Sequence, residues 1–522
     1  MSSQTNRKRP NIVMICADQL RYDGFGCTGS PVARTPNIDS IAERGLSLDN
    51  HHAPCTICAP SRASLFSGLQ PRRHGLVRNG LALSPSLELF THVMMDAGVN
   101  THAVGKLHFQ PILANASYAM PESNAFWDLP ETQDWVGPFY GFRSTELVIG
   151  ESFSSVRGGH YAKWLNENHP DIAPLYLREN SLDEEPDEMD EVWRCAVPAD
   201  LHYNSWIADR SVQFLENRKD DDPFFLFLSF PDPHHPFAPP APYCDNFDPG
   251  DMPMPRVVDG ELDRMPDYIR DEEWGQSDGE KLSYSDFLNR GGGTMEQGSW
   301  QRTADFSNTS LRKIIAYTHA MVQMIDDGVG RVLKAIEDQG LADDTYVIMT
   351  SDHGELLGDH GLIRKGPMAY RELLHVPFVI SGPGIEPGKR LNRLTSHLDI
   401  KNTLLDLMGL CGETVGDGMS LKPILHGSDA TTRDHLFVEY FPRVLDKLYN
   451  ISVIQDDARL TLYPRNKNAS WGEYFDRRAD PGEHDNKYDD PDYQQDIGAL
   501  TALIREEFGP APPIGGRVLG AY

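Results

Sequence analysis

One stretch indicates the fold and the chemistry of this chain: Cys58-Ala59-Pro60-Ser61-Arg62-Ala63-Ser64-Leu65-Phe66-Ser67-Gly68. It places a thiol four residues before a guanidinium, within a run of small side chains. A thiol beside an arginine is a candidate nucleophile of lowered pKa, although most buried cysteines act only as small apolar side chains. Cys58 has a proline two residues later and an arginine four residues later, whereas Cys55 in the same C-x-x-C pair has neither.

Two predicted buried strands are each followed directly by ligand-type side chains. The apolar runs 11–17 and 345–350 are typical of strands in a parallel sheet. The first run is followed by Asp-Gln and the second by Ser-Asp-His-Gly-Glu. Because open α/β sheets bind ligands at the carboxyl ends of their strands, we expect these side chains to meet at one sheet edge. They are Asp18, Gln19, Asp352 and His353.

Basic side chains and histidines accompany other strand-like segments. Within Gly-Lys-Leu-His at 105–108, an extended backbone would point the lysine and the histidine to one side. A further predicted strand, 223–230, runs into Pro-Asp-Pro-His-His-Pro-Phe, and a lysine lies in Leu-Ile-Arg-Lys-Gly at 362–366. By residue type alone, such side chains are more often surface residues than site residues. The candidates are Lys106, His108, His234, His235 and Lys365.

Taken in this order, the segments resemble the sulfatase family, type I arylsulfatase-like enzymes of the alkaline phosphatase-like superfamily. The family usually has Thr-Gly where this chain has Ser67-Gly68, and its His-x-Pro pattern matches His234 rather than His235. In this family a formylglycine-generating enzyme converts the signature cysteine to Cα-formylglycine. The resemblance implies catalytic roles for Cys58 as formylglycine, Arg62, Lys106, His108, His234 and Lys365. It implies metal ligation by Asp18, Gln19, Cys58, Asp352 and His353.

The resemblance also implies a reaction: hydrolysis of a sulfate monoester to an alcohol and inorganic sulfate by a formylglycine-hydrate nucleophile on one divalent cation. The oxygen-rich ligand set favours Ca²⁺, while the histidine nitrogen also admits Mn²⁺ or Zn²⁺. His234 would donate the proton to the leaving alcohol, and His108 would take the proton of the second hydroxyl. The side chains expected to neutralise the developing charge are Arg62, Lys106 and Lys365.

Strands that alternate with helical patterns predict an α/β fold, with a large, mostly parallel sheet flanked by helices. We expect residues 1–426 to form the catalytic domain, with insertions near 112–200 and 240–300. Residues 427–522 are expected to form a smaller C-terminal α+β domain with an antiparallel sheet, as the resemblance implies. Thr35 is the predicted N-cap of an early helix that has Pro36 at its first position.

Other motifs give weaker signals. The G-x-G-x-x-G at 24–29 is separated from the preceding strand by polar residues and is followed by prolines, which argues against a dinucleotide site. The C-x-x-C at 55–58 has no second pair, as a zinc site of that type would require. The chain has seven scattered cysteines, an odd number that does not indicate a disulfide framework.

Composition restricts the partners. The formal net charge of −29 argues against binding to nucleic acid or to an anionic membrane surface. No apolar run approaches the length of a membrane span. Met1–Pro10 lacks the apolar core of a signal peptide, so the expected location is cytoplasmic. The sequence does not select between a monomer and a homo-oligomer.

Two other functions remain open at this stage. A phosphonate or phosphate ester hydrolase of the same superfamily would need the same metal and nucleophile, but phosphonate monoester hydrolases lack the lysine–histidine pair found here at 106 and 108. A non-catalytic binding protein is the remote alternative. Seven of the eight tryptophans lie between Trp127 and Trp300, near acidic clusters. Aromatic faces and carboxylates favour a small aryl or choline-like sulfate ester over a sulfated polysaccharide, which this acidic protein would repel.

Overall fold

The computed structural model describes residues 9–219, 221–262, 300–410, 416–442, 448–465 and 471–509. Several sequence predictions concern residues outside these ranges. The residues Met1–Lys8, which were searched for a signal peptide, lie outside the described ranges. So do the end of the acidic cluster near Glu273, Trp274 and Cys411.

The described chain alternates strands with helices, as the hydrophobic pattern predicted. The strands are β1 (Asn11–Ala17), β2 (Leu46–Leu48), β3 (His51–His52), β4 (Asn100–Gly105), β5 (Ser144–Leu147), β6 (Phe224–Phe230), β7 (Gln301–Arg302), β8 (Thr345–Ser351), β9 (Leu362–Ile363), β10 (Phe378–Ser381), β11 (Lys389–Leu391), β12 (Thr395–Ser396), β13 (Leu436–Tyr440), β14 (Asn450–Ile454), β15 (Ala458–Leu462) and β16 (Gly472–Asp476). The α-helices are α1 (Pro36–Glu43), α2 (Cys58–Ser67), α3 (Pro71–His74), α4 (Phe90–Asp96), α5 (Asn124–Trp127), α6 (Gly159–Asn168), α7 (Tyr203–Glu216), α8 (Asn308–Asp338), α9 (Arg371–Leu374), α10 (Ile400–Leu407), α11 (Lys422–Leu425) and α12 (Gln494–Phe508).

An eight-stranded sheet organises the larger part of the molecule, in the order β11-β2-β10-β8-β1-β6-β4-β5. Within this sheet, β10 runs antiparallel to both neighbours, and the other pairings are parallel. The three central strands β8, β1 and β6 are buried along their whole length, which explains their continuous apolar sequences. The predicted large, mostly parallel sheet is confirmed.

Helices cover both faces of this sheet. Alternate residues of β1 point to opposite faces: Met14 belongs to one hydrophobic cluster and Ile15 to the other. The first cluster includes apolar side chains of α2 and α10, and the second includes side chains of α1, α7 and α8. The carboxyl ends of β1, β6 and β8 therefore lie at one edge, between two helical layers.

Helix boundaries agree with the sequence patterns, with one correction. The amphipathic pattern after residue 308 forms a single helix of 31 residues, α8, which is capped by the Ser307 side chain. Helix α1 begins at Pro36 as predicted, but the predicted Thr35 side-chain cap is wrong. The Thr35 hydroxyl instead accepts a hydrogen bond from Gly26 N and donates one to Asp39, so that it fastens the preceding glycine-rich loop.

A smaller sheet follows in the C-terminal part of the chain. Strands β13 to β16 form an antiparallel four-stranded sheet in sequential order. Helix α12 packs on β14 and β15. The side chain of Asp490 accepts a hydrogen bond from Asp492 N and caps the turn that precedes this helix. The expected smaller C-terminal sheet domain is thus present, and the proposed boundary at residue 426 stays a prediction.

The first predicted insertion differs from the regular parts of the fold, whereas most of the second, residues 263–299, lies outside the described residues. Residues 112–200 contain mainly short 3-10 turns and α6, but they also contribute β5 to the edge of the large sheet. Their status as insertions stays a prediction. None of the helices in the described ranges combines the length and the apolar character needed to cross a bilayer.

Candidate active site at the carboxyl edge of the large sheet

The signature stretch forms helix α2, and its spacing has a direct structural meaning. Cys58 is the first residue of the helix, and Arg62 lies one turn later on the same face. Pro60 lies in the first turn, where a backbone N–H has no partner within the helix. Gly68 ends the helix at φ 68°, and a β-carbon there would lie 3.2 Å from Leu398 O. Because the helix begins at Cys58, its N-terminus, which is the positive end of the helix dipole, lies at this residue.

The two predicted strand-tip carboxylates meet at Arg62. Arg62 Nε lies 2.8 Å from Asp352 Oδ2, and Arg62 Nη2 lies 3.2 Å from Asp18 Oδ2. Arg62 Nη1 also donates to Lys106 O and to Ser229 Oγ, each at 2.8 Å. The guanidinium is only 1% exposed, so it lies behind the carboxylates and fixes their positions.

Four predicted metal ligands form one buried group. Ligand-type atoms of Asp18, Cys58, Asp352 and His353 all lie within 4.8 Å of one another. The predicted fifth ligand, Gln19, has a buried side-chain oxygen, Oε1, without a hydrogen-bond partner. A buried amide oxygen rarely stays unpaired unless it faces an ion or a water molecule. The donor set of carboxylate oxygens, an amide oxygen and one imidazole nitrogen fits a divalent cation.

Two lysines bring positive charge to the same place. Lys365 Nζ donates to Cys58 Sγ at 2.8 Å and lies 3.2 Å from His353 Nε2. Lys106 Nζ lies 2.9 Å from Asp18 Oδ2 and 3.1 Å from Glu151 Oε2. Together with Arg62 they place three cationic side chains beside the buried carboxylates of the site, inside a protein whose overall charge is strongly negative.

The surroundings shift the pKa values of the groups in this site. Burial alone would raise the pKa of Asp18, but Lys106 and Arg62 hold it well below its usual range. Burial and the neighbouring Asp18 raise the pKa of the Cys58 thiol to about 12, against the opposing effect of Lys365. An unmodified thiol in these surroundings stays protonated at neutral pH, which makes it a poor nucleophile.

Three further histidines lie around the group. His234 Nδ1 is 3.8 Å from Glu151 Oε1, and His235 Nδ1 is 3.2 Å from Gln19 Nε2. Burial, followed by the charge of Lys365, lowers the pKa of His234 well below its usual value. Burial and Lys106 do the same for His108. These imidazoles are therefore neutral at pH 7, the state in which a ring nitrogen can accept a proton.

The backbone of residues 105–108 is not extended throughout, so the condition for Lys106 and His108 to point to one side as in a strand is not met. Strand β4 ends at Gly105, and His108 adopts a left-handed conformation with φ 62°. The backbone N–H groups of His108, Phe109 and Gln110 all donate to the Glu122 carboxylate, which holds this turn. Gln19 also has a positive φ, 64°. Non-glycine residues rarely adopt this conformation, and such residues concentrate at functional sites.

Three buried acids of the site escaped the sequence prediction. Glu151 contacts Lys106 and lies near His234, Glu355 accepts a hydrogen bond from Gln19 Nε2, and Glu122 holds the His108 turn. Glu355 follows His353 closely in the sequence and could have been proposed from that position. Glu122 and Glu151 lie in irregular sequence, where no periodic pattern distinguishes a buried acid from the many exposed ones.

Cys55 and the tryptophans have mainly packing roles. Cys55 belongs to an apolar cluster with Ile57, Trp300 and Met368. Four tryptophans of the predicted substrate segment are less than a tenth exposed: Trp127, Trp193, Trp206 and Trp300. Of these, Trp300 comes near the site, because a β-carbon at Gly366 would lie 2.7 Å from its ring.

The fold and the site define an enzyme of the alkaline phosphatase-like class, with a group of side chains that could hold a metal ion at the carboxyl edge of a mainly parallel sheet. The sulfatase family profile matches residues 10–410, and the profile of the C-terminal region of N-sulphoglucosamine sulphohydrolase matches residues 358–507. The chain belongs to the sulfatase family, whose members are sulfuric ester hydrolases. The predicted family and enzyme class are confirmed.

Individual relatives match over nearly the whole chain. An arylsulfatase from Clostridium perfringens is 28% identical, over 96% of this chain and 94% of that protein. The multifunctional alkaline phosphatase superfamily protein PehA from Trinickia caryophylli is 30% identical, over 95% of this chain and 93% of that protein. The crystal structure of the phosphonate monoester hydrolase of Agrobacterium radiobacter superposes with a TM-score of 0.76 at 24% identity, covering 95% of each chain. This last likeness concerns the fold.

Proposed function

We propose that this protein hydrolyses a sulfate monoester to an alcohol and inorganic sulfate, with Cys58 converted to formylglycine as the nucleophile. One observation carries the proposal: Cys58 begins a buried helix inside the group of Asp18, Asp352 and His353, with Lys365 in contact. An aldehyde in place of the thiol would supply, as its hydrate, an oxygen nucleophile in a position where the thiol stays protonated.

Asp18, Gln19, Asp352 and His353, with the modified Cys58, would hold one divalent cation, and the oxygen donors favour Ca²⁺. Such a cation lowers the pKa of a bound hydroxyl and stabilises negative charge on oxygen. Arg62 keeps both carboxylates in place, because it bonds to one oxygen of each. We therefore assign to Arg62 the orientation of the metal ligands in addition to its positive charge.

Lys106 and Lys365 would bind the sulfate oxygens and neutralise the charge that grows on them during the reaction. Both ammonium groups are almost fully buried, where electrostatic interactions are stronger than in water. The sulfate ester carries a negative charge on its sulfate group. The fixed positive charges of these side chains offset the repulsion of that group by a protein of net charge −29.

His234 and His108 would move protons. His234, which is neutral before the reaction, would take up the proton that the attacking hydroxyl loses and pass it to the departing alcohol oxygen, with Glu151 stabilising the protonated form. His108 would take the proton from the second hydroxyl of the formylglycine hydrate, so that the aldehyde and free sulfate are released. The turn held by Glu122 fixes the position of His108 for this step.

A phosphonate or phosphate ester hydrolase is the second candidate. Because the fold resembles that of a phosphonate monoester hydrolase, the experiment below also measures hydrolysis of a phosphonate monoester. The nucleophile and metal ligands would be the same. Lys106, which is paired with Asp18, favours the sulfate assignment because phosphonate monoester hydrolases lack the Lys106–His108 pair. A non-catalytic binding role is disfavoured by the completeness of the group.

The proposed substrate is a small or monomeric sulfate ester, aryl or choline-like. The proposed maturation partner is a formylglycine-generating enzyme, and the proposed location is the cytoplasm. Neither nucleic acid nor a membrane is proposed as a partner, and both a monomer and a homo-oligomer remain compatible with the proposal.

The test combines mass spectrometry with product analysis. The protein is produced with and without a co-expressed formylglycine-generating enzyme, and the peptide that contains Cys58 is measured for conversion of the thiol to an aldehyde. Both samples are then assayed for release of sulfate from an aryl sulfate and for release of alcohol from a phosphonate monoester, and the two rates are compared. The proposal expects sulfate release that scales with the converted fraction and exceeds phosphonate turnover. Equal activity in unconverted protein would contradict it.

A further inference from the structure

A second group of ligand-type side chains lies outside the active site. It consists of Glu261, His360 and His484, whose ligand atoms all lie within 4.8 Å of one another. The three residues come from distant parts of the chain, yet their side chains are 4%, 0% and 7% exposed. Nothing in the sulfate ester chemistry described above uses them.

The distances suit a tetrahedral transition-metal site. His484 Nδ1 lies 3.2 Å from Glu261 Oε1 and 3.1 Å from Glu261 Oε2, and His360 Nδ1 contacts the same carboxylate. Zinc bonds to histidine nitrogen and carboxylate oxygen at about 2.0–2.2 Å, which separates two tetrahedral ligands by about 3.3 Å. The separation of His484 from Glu261 is already close to this value, whereas His360 Nδ1 and the carboxylate would move apart to admit an ion.

The remaining nitrogen of His360 is already oriented by a carboxylate. His360 Nε2 lies 3.1 Å from Glu372 Oε2, and the His360 ring stacks on Tyr370 with centroids 3.7 Å apart. A metal-ligating histidine commonly donates its other N–H to a carboxylate, which fixes the tautomer and the ring. His360 Nδ1 donates to Glu261 in this structure, so a cation bound on the side of Glu261 and His484 would replace the Nδ1 proton while Nε2 keeps its bond to Glu372.

We propose that Glu261, His360 and His484 bind a Zn²⁺-class divalent cation, with Glu372 as the carboxylate that orients His360. Two imidazole nitrogens and a carboxylate favour zinc or a similar transition metal over calcium, which prefers oxygen ligands. The three protein ligands leave a fourth position for a water molecule.

Such a metal would fasten parts of the molecule that the sequence separates widely. His484 follows β16 of the C-terminal sheet, whereas His360 lies between β8 and β9 of the catalytic part. His360 N also donates to Arg256 O, on the segment that carries Glu261. The loop with His360 continues to Lys365 at the active site, so the cation would hold in place the loop that supplies this lysine.

The test isolates the second site from the first. In the double variant Cys58→Ala/His353→Ala, the sulfur and nitrogen ligands of the active site are removed while Arg62 keeps both carboxylate partners, so bound Zn²⁺ reports on the second group. The protein is prepared without a histidine tag, stripped with a chelator, dialysed and titrated with ZnCl₂ by calorimetry, and its zinc content is measured by elemental analysis. We expect one Zn²⁺ per chain and a melting temperature that rises with added Zn²⁺. Excess Ca²⁺ should not compete.

Further substitutions are made in this double variant. His484→Gln should abolish zinc binding, and Glu372→Gln should weaken it by about 10–100-fold. His435→Gln is the control, since His435 pairs with Asp434 at the surface and should leave zinc binding unchanged. Circular dichroism checks that each variant folds. If His484→Gln does not fold, the near-isosteric Glu372→Gln still decides the question.

The proposal is overturned if the folded double variant takes up no Zn²⁺ when it is titrated with ZnCl₂. It is equally overturned if zinc content and affinity are unchanged by His484→Gln or by Glu372→Gln in folded protein. These results do not depend on sulfatase activity, so a failure of the proposed reaction and a failure of this site can be told apart.

Discussion

Lys365 Nζ lies 2.8 Å from Cys58 Sγ, although 307 residues separate them in the chain. The lysine also lies 3.2 Å from His353 Nε2, so it touches both the proposed nucleophile and a proposed metal ligand. An ammonium group in this position stabilises negative charge on the group that replaces the thiol. The contact places the sulfate-binding cation next to the atom that would attack sulfur.

Cys58 and Cys55 give a matched pair of substitutions. Cys58→Ala removes the residue to be converted, and loss of a covalent nucleophile should lower kcat by at least about 10⁴-fold. Cys55 packs in an apolar cluster, so Cys55→Ala should lower stability slightly and keep most of the activity. Steady-state kinetics on an aryl sulfate checks both. Normal turnover by folded Cys58→Ala would refute the mechanism.

Removal of the metal should abolish turnover without unfolding the protein. Treatment with a chelator leaves Asp18 and Asp352 paired with Arg62, which keeps the site assembled. Activity should fall steeply and return on addition of Ca²⁺, and Asp352→Asn should lose activity that added Ca²⁺ does not restore. Activity assays with circular dichroism on the same samples provide the measurement. Full turnover by metal-free protein would show that the reaction needs no cation.

The two active-site lysines should each contribute strongly to transition-state binding. Lys106→Ala and Lys365→Ala should each reduce kcat/KM by about 10²-fold or more, by analogy with removal of an oxyanion-hole donor. Lys389→Ala is the control, because Lys389 pairs with Glu386 at the surface, where an ion pair contributes little. An effect confined to thermal stability, with kinetics unchanged, would assign the two lysines a structural role.

His202 should make folding sensitive to acid. It caps helix α7 by accepting a hydrogen bond from Asn204 N, and burial lowers its pKa to about 3 from an ordinary value of 6.5. Because the folded-state pKa is depressed, the unfolded chain binds the proton first. Stability from this group is therefore complete above pH 6.5 and is lost as the pH falls toward 3.

The expected loss from His202 between pH 7 and pH 5 is about 2 kcal/mol, since one pKa unit corresponds to about 1.4 kcal/mol. His202→Asn keeps a capping oxygen but does not titrate, so its stability should depend less on pH over this interval. Urea denaturation at both pH values measures the difference. Identical pH dependence in the two proteins would contradict a buried, neutral His202.

Charge should govern the choice of substrate. Values of kcat/KM for an aryl sulfate and choline sulfate should exceed the value for a sulfated oligosaccharide, because the net charge of −29 repels a polyanion. The difference in kcat/KM between the small esters and the oligosaccharide should narrow as salt is raised from low to physiological concentration, since salt screens this repulsion. A clear preference for the oligosaccharide at both salt concentrations would show that local contacts outweigh the overall charge.

The sequence by itself predicted the large sheet and most of the candidate site. Apolar runs such as 11–17 and 345–350 form strands because burial on both faces requires continuous apolar sequence. Ligand-type residues directly after these strands meet at one edge because parallel strands end on the same side. The helix over Cys58–Ser67 was not predicted, but the Cys58–Arg62 spacing that it brings to one face is visible in the sequence. The strands and the residues that follow them depend on local sequence, so local sequence was sufficient to predict them.

Only the tertiary structure decided which partners each charged side chain has. Arg62 between two carboxylates, Glu151 beside Lys106 and the left-handed turn at His108 all depend on contacts between segments far apart in the chain. The grouping of Glu261 with two histidines is of the same kind. A buried aspartate or glutamate cannot be told from an exposed one in the sequence, because both have the same residue type and neither follows a periodic pattern. Their roles are therefore set by the packing that removes one of them from water and leaves the other in it.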